Sequence, residues 1–516
     1  MSSSKRRVAQ SAAMIAMATL FSKFLGFLRE VLIASKFGSG YETDTYFVAM
    51  TATVLIMTTI GTALKTTLIP IFSEIQERKG KNKKLDYMTN VLNVIFIITI
   101  LLVIVGYFVS PFVVKILAKG FTGEQYELAI KLNRIGLPII IFLGLSYVFS
   151  GFLESNEVFG PPAIAGIPFN LVYIVYLLTV SQKLGIIGLM VTSVIASAAQ
   201  WLIQIPAAKR LGFKYSLKVD LKDRYIEKAL MLTAPVLLGS AVQQINVIID
   251  RTLASSLKEG SISALNYATR VNDMIISVFV MAITTVIFPM LSKAFTRENL
   301  KEAKDIMEEG INIILIITVP ATIGIIILAE PAIKVFFERG AFDSQATSMT
   351  SSALLFYSLG LIASSLRLML NKVFYSIQDT STPMINGAIA VGINVALNYI
   401  LIRYMAHSGL ALATSISSIV TTILLFISLR KKIGSMGIKS YIICFIKTLI
   451  ASIIMGLVVY GIYFKFGSLF PNKSIIELLL LILAVSVGVL IYFVLCCLLR
   501  VKEMRTLLGR LKKSRK

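Results

Sequence analysis

The sequence predicts an all-α integral membrane protein of about fourteen transmembrane helices, built as two pseudo-symmetric six-helix lobes plus a C-terminal helix pair. Three observations point there. Of its 516 residues, 56% are hydrophobic and 15% charged, and the mean hydropathy is +0.82, whereas soluble domains carry about 25% charged residues. Apolar windows of roughly twenty residues, enough to cross a bilayer, recur between charges, glycines and prolines. Motifs in the first half also return roughly 220 positions later, as they do in transporters built from repeats.

Taken in order, the windows fall near 8–36, 44–75, 86–117, 126–153, 161–181, 186–208, 227–256, 262–293, 303–337, 346–377, 383–404, 409–430, 440–465 and 474–499. The N-terminus MSSSKRRVAQ is basic like a signal peptide, but the run behind it is too long and carries charge, so it reads as a retained helix. Basic residues cluster before the first helix (Lys5, Arg6, Arg7), after the second (Arg78 to Lys84), after the sixth (Lys209 to Arg224), after the eighth (Lys293 to Lys304), after the twelfth (Arg430 to Lys432) and in the tail. All of these fall on one side of an even-numbered bundle, which places both termini in the cytoplasm.

The repeat sets the organisation. TTLIPIFS at Thr66 to Ser73 returns as TTVIFPMLS at Thr284 to Ser292, and VKILAKGF at Val114 to Phe121 returns loosely as IKVFFERGAF at Ile333 to Phe342. The expected domains are an N-terminal lobe at 1–210, a C-terminal lobe at 223–434, an extra helix pair at 438–500 and a basic tail at 501–516. The extra pair reads equally as a lipid-facing groove or as packing.

Charge and composition exclude several functions. The formal net charge is +24, but it sits in short loops and the tail, the pattern of membrane flanks rather than of a nucleic-acid surface. Cys444, Cys496 and Cys497 lie in apolar helices without metal-ligand spacing, and His407 is the single histidine. There is no Walker motif, zinc spacing or nucleophile elbow, and Glu154 with Glu157 is the nearest approach to a paired carboxylate site. The chain therefore reads as a non-enzyme.

What remains is charge inside the membrane. Lys23, Arg29 and Glu30 interrupt the first helix, where an ionisable side chain costs about 2.5–3.5 kcal/mol at mid-bilayer. At about 100° per residue Lys23 and Glu30 share one face, and Ser22, Arg29 and Lys36 share another. Such residues face a bundle interior or a wet cavity, either as a helix-locking ion pair or as a ligand site. Lys65 on the second helix either joins that cavity or snorkels to water. The seventh helix adds Asn246, Asp250 and Arg251, and the eighth adds Arg270 and Asp273 three apart. A cavity with Lys23, Arg29, Lys65 and Arg270 suits an anion, since Arg makes bidentate contacts to phosphate oxygens.

The segments FSKFLGFLREVLIASKFGSGYETDTYFVA, DRTLASSL with YATRVND, FFERGAFDSQAT, NKVFYSIQDTSTP, GINVALNYILI and GLALATS span both halves in one order. On these residues the chain resembles the MurJ family of lipid II flippases, within the multidrug/oligosaccharidyl-lipid/polysaccharide exporter superfamily. The resemblance implies alternating-access transfer of undecaprenyl-pyrophosphoryl disaccharide-pentapeptide to the outer leaflet of a bacterial cell membrane. An exporter of another polyprenyl-linked oligosaccharide and an integral-membrane lipid-carrier transferase are the alternatives.

Family cavity arginines fall on Lys23, Arg29 and Arg270, and acidic positions on Glu30, Asp44 and Asp273; with Lys65 these form the expected substrate-binding set. Lys replaces Arg at 23, Glu replaces Asp at 30 and Asp replaces Glu at 273, and a second-helix arginine is missing from ATVLIMTTIG. The resemblance also implies a sodium ion as ligand, on Asp250, Asn394, Asn398 and Thr414. With Asn398 neutral, Asp250 is the main negative charge of that set, and Asn394 with Asn398 serves equally as interhelical hydrogen-bond glue. Implied partners are lipid II, membrane lipids and the cell-wall synthesis machinery.

Overall fold

The computed structural model describes residues 3–465 and 474–504. Every regular element among them is helical: α1 Ser3–Phe37, α2 Tyr41–Leu117, α3 Gly123–Gly136, α4 Ile139–Glu154, α5 Gly160–Ile164, α6 Gly166–Thr179, α7 Ser181–Leu202, α8 Ile205–Arg210, α9 Arg224–Ala254, α10 Ser261–Ile275, α11 Met281–Thr296, α12 Leu300–Phe337, α13 Ser344–Ser358, α14 Leu361–Ser376, α15 Ser381–Ile433, α16 Ile438–Tyr460 and α17 Ser474–Leu498. Single π-helical turns follow α10 and α16. Most of the expected basic tail, 505–516, lies outside the described residues.

Among the described residues nine helices are long and apolar enough to cross a membrane, or ten when the bent pair α13 and α14 is one span. The expected fourteen is a different count, because it divides the two longest helices and also takes in α1 and α9, which are not among those ten. At 1.5 Å per residue, the 77 residues of α2 would extend about 115 Å and the 53 of α15 about 80 Å, against a hydrocarbon core of about 30 Å. Each carries a non-helical residue: Gly80 in α2, at φ 82°, and Ala406 in α15, at φ 48°. An alanine at positive φ is strained, and the two side chains that follow it are tied down. His407 Nε2 lies 2.9 Å from the Met349 carbonyl and 3.2 Å from the Ser352 hydroxyl, and Ser408 donates to Ser352 at 3.0 Å. The single histidine thus anchors a break.

The chain divides into two compact units, one running to Ser263 with Gly340–Phe342 added, the other comprising the remainder. In the first, α2 packs on α3, α4 and α9, and α6 packs on α1 and α7. Lipid competes with apolar side chains for apolar contacts, so close packing through small residues does much of the work. A Cβ on Gly61 would stand 1.9 Å from the Tyr147 ring, and one on Gly144 would meet Thr99, Met57 and Ile95. An aromatic core, Phe72, Tyr87, Phe149 and Phe152, fills the space where α2 meets α4.

In the second unit α12 is central, packed by α11, α13, α14 and α16. The last two helices belong to this core. Gly456 of α16 closes on Ile323 and Ile327 of α12, and Gly488 of α17 on Val459 and Met455. Asn312 on α12 donates to Glu503 at 2.6 Å, and Ser440 to Glu308 at 2.8 Å. The segment after α17 is thereby fastened to α12.

Candidate functional site

The charges of α1 are placed by how closely that helix approaches α6. A Cβ on Gly166 would stand 2.3 Å from the Ser22 hydroxyl, and Gly26 leaves 3.7 Å to the Asn170 amide. Asn170 therefore lies against α1, and its Nδ2 donates to the Ser22 carbonyl at 3.1 Å and the Gly166 carbonyl at 2.8 Å. Its Oδ1 accepts from Arg29 Nη1 at 3.1 Å, while Arg29 Nη2 donates to Glu30 Oε1 at 2.6 Å. The guanidinium carbon sits 5.0 Å from the centre of the Tyr173 ring and 5.4 Å from that of Phe169, within cation–π range. The Tyr173 hydroxyl meets that of Tyr46 at 3.2 Å, and Tyr46 reaches Ser193 at the same distance.

Arg29 is 16% exposed and Glu30 3%. Both reach the polar partners that an intramembrane ion pair requires. Two of the five N–H donors of Arg29 are engaged, and an anion approaching this side chain meets only the remaining edge. Lys23, two turns earlier, is exposed with no ion pair among the described residues.

Asp44 does something different. Its carboxylate accepts from the Gly260 N–H at 2.8 Å, the Ser263 N–H at 2.7 Å and the Ser263 hydroxyl, and it is 3% exposed. This carboxylate caps the start of α10, where exposed backbone N–H groups favour a negative charge. The turn just before Asp44 is held equally closely. Gly38, at φ 70°, has the Ala341 carbonyl 2.4 Å from where its Cβ would be, and the Ala341 N–H donates to the Ser35 carbonyl at 2.8 Å. Only glycine fits at 38.

Lys65 is paired: its Nζ lies 2.7 Å from Glu154 Oε1, with the lysine 34% and the glutamate 17% exposed. One of the two glutamates singled out in sequence is thereby the partner of the lysine singled out beside it.

In the second unit Arg270 and Asp273 are exposed toward the end of α10. Asn398 Nδ2 donates to Asn394 Oδ1 at 2.8 Å, Asn394 Nδ2 to Thr414 Oγ1 at 3.4 Å, and Thr414 to the Leu410 carbonyl at 3.0 Å. This relay joins the two arms of α15 across the break at Ala406. Asp250 lies in the first unit and accepts from Asn246 at 3.5 Å. The three neutral residues engage one another, so a cation held by this set would depend on Asp250 for charge. Among the described residues no cluster of three or more His, Cys, Asp or Glu side chains could hold a metal.

Two features escaped the sequence reading. Asn170 and its aromatic neighbours sit in the apolar run PFNLVYIVYLL, where a lone amide inside a span was the available signal. Arg367 on α14 is half-buried and has no hydrogen-bond or ion-pair partner among the described residues. Its signal was a cation inside the tenth apolar window, away from the basic loops.

Comparison with known proteins matches the chain to one family. The family model described as lipid II flippase MurJ matches residues 33–484. A probable lipid II flippase MurJ of Rhizobium tropici is 30% identical over 429 residues, 80% of this chain and 79% of that protein; one of Rickettsia prowazekii is 28% identical, covering 95% and 98%. Among solved structures, a lipid II flippase MurJ in an inward closed conformation superposes with a TM-score of 0.79 at 28% identity, covering 94% of this chain and 98% of that one. An inward-facing multidrug resistance MATE family transporter shares the fold, with a TM-score of 0.68 at 15% identity over 82% of this chain and 98% of that one. On the family match across 452 of its 516 residues, from 33 to 484, the chain belongs to the lipid II flippase MurJ family.

Proposed function

We propose that this protein transfers lipid II, the undecaprenyl-pyrophosphoryl disaccharide-pentapeptide, from the cytoplasmic to the outer leaflet by alternating access, and so serves peptidoglycan synthesis and cell shape. The observation that carries the reading is the family match from 33 to 484. The MATE likeness at 15% identity speaks for the fold alone, and the charges in the spans supply the sign of the substrate. Lys23 and Arg367 are cations without acidic partners among the described residues, as a pyrophosphate ligand requires and an organic cation does not. The protein acts as a transporter, with the cell-wall synthesis machinery as the natural recipient of its product.

Both termini are cytoplasmic in this reading, the loop from Arg78 to Lys84 is cytoplasmic and the turn Gly38 to Glu42 external. Cysteine at Ser39 is then labelled from outside intact cells, and labelling only after permeabilisation reverses the orientation. Coupling to sodium would run through Asp250, the one charge in its set with Asn394, Asn398 and Thr414. A ligand shifts an access equilibrium only by its differential affinity, so a sodium-dependent change in cavity accessibility should be lost in Asp250→Asn. Depletion of the protein tests the function itself: lipid-linked peptidoglycan precursor should accumulate on the cytoplasmic leaflet. Unchanged distribution across the leaflets would refute it.

A further inference from the structure

A cavity of about 720 Å³ lies within the first unit, away from the α1 charges, lined by residues including Leu92, Leu145, Phe149, Trp201, Phe213 and Lys214. This volume falls within the ~300–1,000 Å³ range of small-molecule sites. It is framed by the second arm of α2, α4 and the end of α7, with a strap of chain after α8 as its remaining wall. Gly212, at φ 100°, turns the chain into that strap. A polar row on α2 then holds it. Thr89 donates to the Lys214 carbonyl at 3.4 Å, and Asn93 donates to the Ser216 and Lys218 carbonyls at 2.9 and 2.8 Å. Asn90 exchanges two hydrogen bonds with the Asp220 backbone. The wall is thus fixed without help from a ligand.

The lining divides into a deep apolar part and a basic edge. Phe149, packed edge-on against Trp201 and Phe213, is 1% exposed, and Leu92, Leu145 and Phe213 are buried. Lys209 and Lys214 border the cavity, both exposed and neither in an ion pair among the described residues. The Trp201 ring lines the cavity, while its indole nitrogen is buried behind the wall without a hydrogen-bond acceptor. An indole N–H is a donor only, and a buried donor without an acceptor costs about 1–3 kcal/mol.

We infer that the cavity is a binding site for an anionic phospholipid, with one acyl chain among Leu92, Phe149 and Phe213 beside the Trp201 ring, and the phosphate at Lys209 and Lys214. Each part of that ligand answers one observation: the chain the apolar depth, and the phosphate two unpaired ammonium groups. A zwitterionic lipid leaves the lysine charge unbalanced. A soluble anion leaves the aromatic slot empty.

Trp201 is the only tryptophan in the chain, so its fluorescence reports this site alone. The full-length protein in neutral detergent micelles is titrated with phosphatidylglycerol carrying brominated acyl chains, and separately with phosphatidylcholine carrying the same chains. Bromine quenches an indole on contact. Phosphatidylglycerol should quench at about one-tenth the concentration that phosphatidylcholine needs, given two basic side chains at the headgroup. In Lys209→Gln/Lys214→Gln, a change at two exposed positions, the two curves should coincide. Coincident curves in the parent protein, absent quenching, or a preference that survives in the double variant would each overturn the site. So would displacement of the brominated lipid by a polyprenyl phosphate at lower concentration than by unbrominated phosphatidylglycerol.

Discussion

Arg29 and Arg367 are both arginines within apolar helices, one in each unit, yet their surroundings differ in kind. Arg29 has an acidic neighbour, an amide and two aromatic rings, all on α1 or α6. Arg367 has no hydrogen-bond or ion-pair partner among the described residues. A cation paired with an acid of its own lobe is suited to hold helices in register, while one left without an acid retains all its donors for a ligand. The family match, from residue 33 to 484, includes Arg367 and begins after Arg29, and it does not tell positioning from binding. The local geometry sets up the contrast that the following variants test.

The largest effect expected on this view is from Arg29→Ala. It leaves Glu30 buried without its counter-charge and Asn170 Oδ1 without a donor, a loss of about 3–5 kcal/mol in stability. Thermal melting of the purified protein should show it, together with reduced abundance in the membrane. Arg29→Lys keeps the charge but has no planar fork to bridge Asn170 and Glu30, and should fall between. An Arg29→Ala protein that melts like the parent but fails to support growth would make Arg29 a binding residue and erase the contrast.

Arg367→Gln should show the opposite pattern. With no partner to strand, the melting temperature should stay within about 1–2 °C, corresponding to a surface-like change under ~0.5 kcal/mol. Complementation should fall, since a charge-assisted contact to phosphate contributes about 1.5–3 kcal/mol, roughly ten-fold or more in affinity. Full complementation by Arg367→Gln would remove it from the substrate path.

Helical periodicity alone put Lys23 and Glu30 on one face and Arg29 on another, and the hydropathy windows located the spans, because both depend only on neighbours in sequence. Partners contributed by another helix were not legible. Asn170 reaches Arg29 across 141 positions, and Glu154 reaches Lys65 across 89. Asp44 was marked by the resemblance as a substrate carboxylate, yet it accepts three hydrogen bonds from Gly260 and Ser263, a role set by where α10 begins. The fourteen-helix count depended in part on dividing 77 and 53 residues at turns of a single non-helical residue. Gly80 was a visible signal for the first; Ala406 is not a residue type that announces a break.

Lys65 and Glu154 give an intermediate case for the same comparison, a cation paired but partly wet. With side chains 34% and 17% exposed, the pair should contribute no more than about 1 kcal/mol after solvent screening. A double-mutant cycle with Lys65→Ala and Glu154→Ala, read by melting in detergent, measures that coupling. A coupling above 2 kcal/mol would place Lys65 with Arg29 as a structural cation. Near-zero coupling with lost complementation in Lys65→Ala alone would place it with Arg367.

The smallest effect lies outside the spans, where Asp379 in the turn between α14 and α15 meets Lys432 at 2.5 Å. Partial burial works to raise the Asp379 carboxyl, but hydrogen bonds from Lys432 and Thr382 outweigh it and hold the group at about 2, below its usual range. A carboxylate depressed in the folded state stabilises it above its unfolded pKa of about 3.9, and that contribution is lost as pH falls through about 2. The melting temperature should therefore decline between about pH 4 and 2 in the parent by more than in Asp379→Asn. Lys432 is 44% exposed, so water screens the pair and limits the difference to under ~1 kcal/mol. Asp379 and Arg29's neighbour Glu30 both carry a carboxylate charge, and the contrast in expected loss comes from solvent: Glu30 is 3% exposed, and Asp379 faces a lysine that water also reaches. Parallel decline in the parent and Asp379→Asn would mean that the contact does not hold the turn in solution.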